Sequence, residues 1–372
     1  MNSKTIYFFF FFALILQTII ASNSNDSVYY AIEAKYQYGI LVPHHPEIYY
    51  FVKDYTQGGE INFIRRRYNS NFWESEYKRL ETGIGFWFSS LGRDEIYGHA
   101  FSLFPFVNLQ LLNIGKLDIK TRVAFGLGYA TKPFDRFNNP NNTIFSSHFN
   151  AYIGLGFMLY YPVFDKISLQ GGLAINHISN GASSKPNHGM NTVAISLGAR
   201  YNLTDTKDFT VQKQETQNYR KHELMTTFSV GRNQPAHYLH RKFWSGSFTA
   251  IHSWYLKKTM SLGVGLDLIQ YGGAPYHLKK TAEIIENAEF GFSDYFYLGT
   301  TINFENHFGN TAIYLSPGLY LHYKTKPRQP IYARLGIRQK IYGNFWGHFG
   351  IKANFFVAEF IEFGVGYRFK LL

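Results

Sequence analysis

The chain has 372 residues, a formal net charge of +12 and no cysteine, and aromatic residues make up 19% of it. This length allows two ordinary domains or one large all-β domain. The lack of cysteine excludes a disulfide-stapled scaffold, so the fold must be held by its own sheet or core.

The N-terminus has the layout of a secretory signal peptide. Lys4 precedes an apolar run over residues 6–20, and small and polar residues follow. A basic start, an apolar centre and a small-residue exit are typical of a cleaved signal, and the run is short for a membrane-spanning helix. We therefore predict that residues 1–22 are a signal peptide. For an exported basic chain without a nucleic-acid motif, anionic lipid or polysaccharide is the expected partner.

Alternation with a period of two predicts the fold class. Over residues 117–129, large apolar side chains occupy most odd positions, whereas Asp118, Lys120 and Arg122 lie on the other face. A membrane β-barrel combines an apolar outer wall with a polar interior in this way. The segments are also long enough for a tilted bilayer crossing. The prediction is an all-β, antiparallel transmembrane outer-membrane β-barrel.

The same alternation recurs sixteen times along the chain. The candidate strands lie near residues 29–40, 57–68, 79–89, 95–110, 116–130, 145–161, 167–179, 190–203, 223–232, 242–255, 259–270, 292–305, 311–323, 330–342, 345–356 and 358–369. Their even number places both ends of the barrel in the periplasm.

The candidate strands fall into two halves. Residues 28–203 form the first half, residues 204–222 a polar linker and residues 223–372 the second half. We favour one closed barrel of about 14–16 strands, with two smaller eight-stranded barrels as the alternative. If the first strand runs outward from the periplasm, the loop at 180–189 is extracellular.

A polar pair ends the apolar row of the seventh candidate strand. His177 and Ser179 follow Leu173 and Ile175 in the odd row, which is predicted to face lipid. Side chains two residues apart share a face of a strand, so a base and a nucleophile are placed to meet there. Asn191, across the hairpin, is the candidate to orient the imidazole.

The hairpin loop supplies candidates for stabilising an oxyanion. They are Asn180, the Gly181 backbone and Asn187. Amide donors aimed at a developing negative charge are what acyl transfer requires. Asn and Gly are also ordinary turn residues, so the loop alone does not decide the function.

The segment "HISNGASSKPNHGMN", residues 177–191, resembles the signature of the lipid A 3-O-deacylase (PagL-type) or acyloxyacyl hydrolase family of outer-membrane barrels. The matching residues are His177, Ser179, Asn180, Pro186, Asn187 and Gly189. The resemblance extends over residues 29–203. It implies a barrel in the Gram-negative outer membrane with a Ser-His-acid triad facing the outer leaflet, which hydrolyses an ester-linked acyl chain of lipid A.

One position departs from the family pattern. The family has a Glu as the third member of the triad, whereas this chain has Asn191. An amide can orient the imidazole through its carbonyl but cannot stabilise the imidazolium as a carboxylate does. The chain between Asp165 and Asp205 contains no acidic residue, so a replacement carboxylate would have to come from another strand or loop.

The sequence therefore predicts a carboxylic ester hydrolase acting on lipid A or lipopolysaccharide. His177, Ser179 and Asn191 are its catalytic candidates, and it requires no cofactor and no metal. The segment "PHHPEI", residues 43–48, could line the site or bind a metal, but adjacent loop histidines are more often solvated. The alternatives are a passive porin or transporter and an inactive lipopolysaccharide-binding barrel. The oligomeric state is left open.

Overall fold

The structure is a computed structural model that describes residues 27–68, 76–77, 80–204, 221–237, 239, 241–276, 291–355 and 357–370. The predicted signal peptide and most of the predicted linker lie outside the described residues. Among the described residues, no helix is both long and apolar enough to cross a membrane.

Eight antiparallel strands close the first barrel, because β1 pairs with both β2 and β8. The strands are β1 (Ser27–Leu41), β2 (Thr56–Tyr68), β3 (Glu81–Ser90), β4 (His99–Ile114), β5 (Leu117–Ala130), β6 (Phe149–Pro162), β7 (Ile167–Ser179) and β8 (Met190–Asn202). A short helix, α1 (Pro46–Phe51), lies in the loop between β1 and β2.

The second barrel repeats this architecture. Its strands are β9 (His222–Asn233), β10 (Phe243–Lys257), β11 (Met260–Tyr271), β12 (Phe296–Phe308), β13 (Thr311–Tyr323), β14 (Ile331–Tyr342), β15 (Phe345–Asn354) and β16 (Val357–Lys370). Pairing of β16 with β9 closes it. Two 3-10 turns, Ala274–Tyr276 and Phe292–Tyr295, lie between β11 and β12.

The all-β antiparallel barrel class is confirmed, and so is the alternative of two eight-stranded barrels. The single barrel of 14–16 strands, which the sequence favoured, is wrong. Strand β8 returns to pair with β1 rather than passing the sheet on to β9. Alternation along a strand fixes which face is apolar but carries no information on where a sheet closes.

The two faces of the first barrel differ as the alternation predicts. On β7, Leu169 and Leu173 are more than half exposed on the outside, whereas Gln170 and Asn176 are buried in the interior. On β5, the charged residues Lys120 and Arg122 are likewise buried inside. An apolar outer wall around a polar interior is the arrangement of a membrane barrel.

Paired charges occupy the interior of the first barrel. Arg200 contacts Glu33 at 3.1 Å and Glu81 at 2.8 Å, and Lys35 contacts Glu60 at 2.9 Å. Further ion pairs join Arg122 to Glu33 and Glu60, and Lys120 to Glu81. Buried charges of both signs are tolerated in a barrel because each has a partner within hydrogen-bond distance.

An aromatic layer accompanies this ionic layer and supports β7 from inside. The ring of Tyr152 stacks on Phe104 with a centroid distance of 4.6 Å. The Tyr152 hydroxyl donates to the side-chain oxygen of Asn176 at 2.8 Å. Because Asn176 directly precedes His177, this interior contact fixes the strand that carries the outer row.

The interior of the second barrel is also filled by ion pairs. Arg334 contacts Asp267 at 2.6 Å and Glu362 at 3.1 Å, and Arg368 contacts Glu223 at 2.7 Å. Further polar and charged residues of the second barrel are buried, namely His348, Lys352, Asn354, Glu362 and Arg368.

Candidate active site

His177 and Ser179 lie at the end of the outer row of β7. The preceding members of that row, Leu173 and Ile175, are exposed, whereas His177 is half-buried and Ser179 is 4% exposed. The change in burial arises because the loop after β7 covers the end of the strand. The pair therefore lies on the outer face but beneath a loop.

Asn191 is the residue directly opposite His177 in the pairing of β7 with β8. Its side-chain oxygen, Oδ1, lies 2.7 Å from Nδ1 of His177. An amide oxygen can only accept, so Nδ1 carries the ring proton and Nε2 keeps its lone pair. This is the tautomer that a general base needs. An amide thus occupies the position that a triad carboxylate would take.

His44 holds the other end of the Asn191 amide. Nδ2 of Asn191 lies 3.3 Å from Nδ1 of His44, and Nε2 of His44 lies 3.0 Å from the backbone oxygen of His188. A neutral ring that donates from Nε2 to a carbonyl accepts at Nδ1. In that tautomer Nδ1 of His44 accepts from Nδ2 of Asn191, which agrees with an Asn191 oxygen that points toward His177; Nδ1 of His44 also lies 3.2 Å from the carbonyl oxygen of Val42.

Asn187 connects the loop to the serine. Its Nδ2 donates to the Ser179 hydroxyl oxygen at 2.9 Å, and its Oδ1 accepts the backbone N–H of Asn180 at 3.3 Å. The Asn187 amide therefore points its N–H group at Ser179, while its oxygen is held by the backbone of Asn180. A donor held beside the nucleophile lies close to the place where an oxyanion would form during acyl transfer.

Asn180 and Gly181 have different surroundings from Asn187. The Asn180 side chain donates to the hydroxyls of Ser146 and Ser147 at 3.0 and 3.1 Å, so it ties the loop to the neighbouring loop before β6. Gly181 has a left-handed backbone with φ of 59°. Among the three predicted donors, Asn187 contacts Ser179 with its side chain.

Gly189 packs directly against the pair. Its φ is 78°, and a Cβ there would lie 3.0 Å from Cε1 of His177 and 3.4 Å from Cβ of Ser179. Any side chain at this position would meet the imidazole and would also strain the backbone. Glycine is therefore needed for two independent reasons.

The sequence predicted only that the segment over residues 43–48 could line the site or bind a metal, and it did not place His44 beside Asn191. His44 reaches Asn191 because β1 pairs with β8, and the Val42 N–H donates to the Asn191 carbonyl at 2.8 Å. Closure after eight strands is the signal that could have found it. Ser146 and Ser147 were missed for a different reason, because they lie in the β5–β6 loop, which the pairing of β6 with β7 brings to Asn180.

Comparison with known families agrees with the resemblance noted in the sequence. The family model for lipid A 3-O-deacylase (PagL) matches residues 62–200. The model for the acyloxyacyl hydrolase C-terminal domain matches residues 222–371. A search of curated proteins finds no match.

Three solved structures with similarity to the chain are a surface protein, a porin and a transporter by name. Neisserial surface protein A (NspA) aligns at 14% identity and a TM-score of 0.30, over 48% of this chain and 99% of that chain. A mutant porin of Rhodopseudomonas blastica aligns at 8% identity and a TM-score of 0.18, over 92% and 100%. The Pseudomonas putida toluene transporter TodX aligns at 8% identity and a TM-score of 0.18, over 96% and 93%.

The two family models follow one another along the chain and together span both barrels. The first ends within β8, just after the hairpin that carries His177 and Asn191. The chain belongs to the lipid A 3-O-deacylase (PagL) and acyloxyacyl hydrolase family of outer-membrane β-barrels.

Proposed function

We propose that the protein is an outer-membrane acyl-ester hydrolase that removes an acyl chain from lipid A by a Ser-His mechanism. The observation that carries this proposal is the 2.7 Å contact of Asn191 with Nδ1 of His177 on the same outer face as Ser179. That contact leaves Nε2 of His177 as a base for the serine hydroxyl. Family membership supports the reaction class.

In the first half-reaction Ser179 is the nucleophile. Its oxygen forms a bond to the ester carbonyl carbon while its proton passes to Nε2 of His177. The tetrahedral intermediate then collapses, the bond to the sugar oxygen breaks, and His177 returns the proton to that oxygen. The products are a free sugar hydroxyl and an acyl group on Ser179.

In the second half-reaction water takes the place of the sugar oxygen. His177 accepts a proton from water as the water oxygen bonds to the acyl carbon, and it then protonates the Ser179 oxygen that leaves. The fatty acid is released and the serine is regenerated. No cofactor is required, because the net reaction is acyl transfer to water.

Asn187 would stabilise the negative oxygen of each intermediate. Its Nδ2 donates to the hydroxyl oxygen of Ser179, which is the atom that bonds to the acyl carbon in the intermediate. Removing a single donor of this kind lowers kcat by roughly 10²–10³-fold. Asn180 would act as a positioning residue, because its backbone N–H holds the Asn187 oxygen.

Asn191 would be a weaker third member than a carboxylate. Its oxygen accepts the Nδ1 proton of His177 and so fixes the ring and its tautomer. It carries no charge to offset the imidazolium that forms in each half-reaction. The expected consequence is a slower enzyme with the same order of steps.

The location of the pair favours a lipid substrate. The exposed row of Leu169, Leu173 and Ile175 leads directly to His177. Such a row faces the acyl chains of the membrane, and its end faces the head-group region. An ester between a sugar and an acyl chain lies at that depth. This supports a membrane-embedded protein acting in the outer leaflet.

The passive-porin alternative requires a continuous polar channel. Both barrels instead contain paired charges across their interiors, such as Arg200 with Glu33 and Glu81, and Arg334 with Asp267 and Glu362. Side chains joined in this way across a barrel interior obstruct the passage of ions and solutes. The inactive lipopolysaccharide-binding barrel is distinguished by the following experiment.

The test is mass spectrometry of lipid A from cells that express the wild-type chain or a variant. We expect wild type to remove one acyl chain, and S179A and H177Q to leave lipid A intact. S168A, another serine substitution on β7, is the matched control and should cleave as wild type does. Intact lipid A with wild type at normal outer-membrane levels would overturn the proposal and favour a binding barrel.

A further inference from the structure

Two histidines and a glutamate from different loops meet above the end of β8. His45 and Glu47 come from the β1–β2 loop, and His188 comes from the β7–β8 loop. Their potential ligand atoms all lie within 4.8 Å of one another. We propose that these three residues bind a divalent transition-metal ion, with Zn²⁺ as the best fit, and that the ion ties the two loops together beside the hydrolase site.

The β1–β2 loop presents two of the ligands from one rigid turn. His45 is the residue before α1, and its backbone oxygen accepts the N–H groups of Ile48 and Tyr49 at 3.1 and 3.2 Å. Its imidazole makes no capping hydrogen bond to the helix. Pro46 starts the helix, and Glu47 lies in its first turn. The backbone of both ligands is therefore fixed by the helix start.

His188 is fixed independently by its own loop. Its backbone N–H donates to the carbonyl of Thr143 at 3.1 Å. Its ring centroid lies 3.8 Å from that of His45, with 37° between the ring planes. Neutral imidazole is the form that binds a metal.

The donor set selects the class of ion. Two imidazole nitrogens and one carboxylate oxygen suit Zn²⁺ and neighbouring transition metals, whereas Ca²⁺ and Mg²⁺ take oxygen ligands. Zn–N bonds of about 2.0–2.1 Å in a tetrahedral site place ligand atoms about 3.3 Å apart. Ligand atoms that now lie up to 4.8 Å apart would have to move about 1.5 Å closer to reach that spacing.

The surroundings allow an ion to enter from solvent. Glu47 is exposed, and His45 and His188 are half-buried. Three protein ligands leave the fourth position of the ion for water. The carbonyl of His188 accepts a hydrogen bond from His44, which contacts Asn191. A bound ion would thus restrain His188, whose backbone carbonyl accepts the hydrogen bond from His44.

Metal binding is tested on the purified full-length protein in detergent, stripped with a chelator and titrated with ZnCl₂ in a calorimeter. We expect one Zn²⁺ per chain for wild type. H45Q and H188Q should weaken binding by at least about tenfold, since even partners of ligands contribute 10–100-fold to affinity. E47Q should weaken it in the same direction.

His99 provides the matched control. Its ring lies 3.8 Å from a carboxylate oxygen of Asp94, in a pair with one histidine and one acid. H99Q should bind Zn²⁺ as wild type does. Circular dichroism and the heat-dependent gel shift of barrels identify any variant that has not folded, and only folded variants are compared.

Two outcomes overturn the proposal. One is the absence of saturable binding at one ion per chain in wild type. The other is equal affinity in wild type and in both folded histidine variants. Neither readout depends on ester cleavage. A chain that binds Zn²⁺ and leaves lipid A intact refutes the hydrolase alone, and a chain that cleaves lipid A without binding Zn²⁺ refutes the metal site alone.

Discussion

Asn191 and His177 face one another on adjacent strands, with the amide oxygen 2.7 Å from Nδ1 of the imidazole. The contact has the geometry of the acid–histidine pair of a hydrolytic triad, but the acceptor carries no charge. The chain therefore separates two effects that a carboxylate combines: orientation of the ring and stabilisation of its charged form.

Substitutions at Asn191 measure these two effects. N191A removes the acceptor, and we expect a fall in kcat of roughly 10–100-fold, the value of a hydrogen bond to a charged group. N191E restores a charge, and we expect kcat to rise above wild type. Deacylation of purified lipid A is the measurement. A rate for N191E equal to that for N191A would contradict a role for this position in holding His177.

His44 acts on the same amide from the other side. H44A removes the acceptor for Nδ2 of Asn191, and we expect a fall in kcat of about 3–10-fold with KM unchanged. Because His44 acts through Asn191, H44A in the N191A background should have little further effect. Additive losses in this double-mutant cycle would show that His44 acts elsewhere.

Asn187 both donates to Ser179 and accepts from the backbone of Asn180. N187D keeps the acceptor and removes the donor. We expect kcat to fall by roughly 10²–10³-fold, as for loss of an oxyanion donor, with KM little changed. If the amide only shaped the loop, N187D would retain most of the activity and N187A would lose it, which single-turnover acylation measurements would reveal.

Gly189 tests the position of the imidazole. G189A places a methyl group 3.0 Å from Cε1 of His177 and strains a backbone with φ of 78°. We expect a loss of activity of about 10²-fold through displacement of the ring. The strain itself costs only about 1–2 kcal/mol in this backbone region.

Gly115 separates displacement from strain. It has a similar φ of 61°, and a Cβ there would meet nothing within 4 Å. G115A should therefore be strained to a similar degree and remain fully active. Equal losses of activity in G115A and G189A would mean that strain, rather than contact with His177, explains the effect.

The sequence predicted the strands and their faces well, because a barrel wall imposes a period of two that polar residues such as Lys120 and Arg122 make visible. It did not predict closure after β8, since the choice of β1 as partner depends on pairing between strands far apart in sequence. His177, Ser179, Asn187 and Asn191 could be found because one hairpin carries them. His44 could not, because closure of β8 on β1 brings it to that hairpin. Ser146 and Ser147 could not, because they lie in the separate β5–β6 loop.

The outward position of His177 and Ser179 has a kinetic consequence for the hydrolase proposed here. A substrate that is itself a membrane lipid reaches the pair by lateral diffusion in the leaflet, since the way through the interior is occupied by paired charges such as Arg200 with Glu81. Turnover is then governed by the mole fraction of lipid A around the barrel rather than by its bulk concentration. Diluting lipid A with inert detergent at constant total lipid A should slow the enzyme.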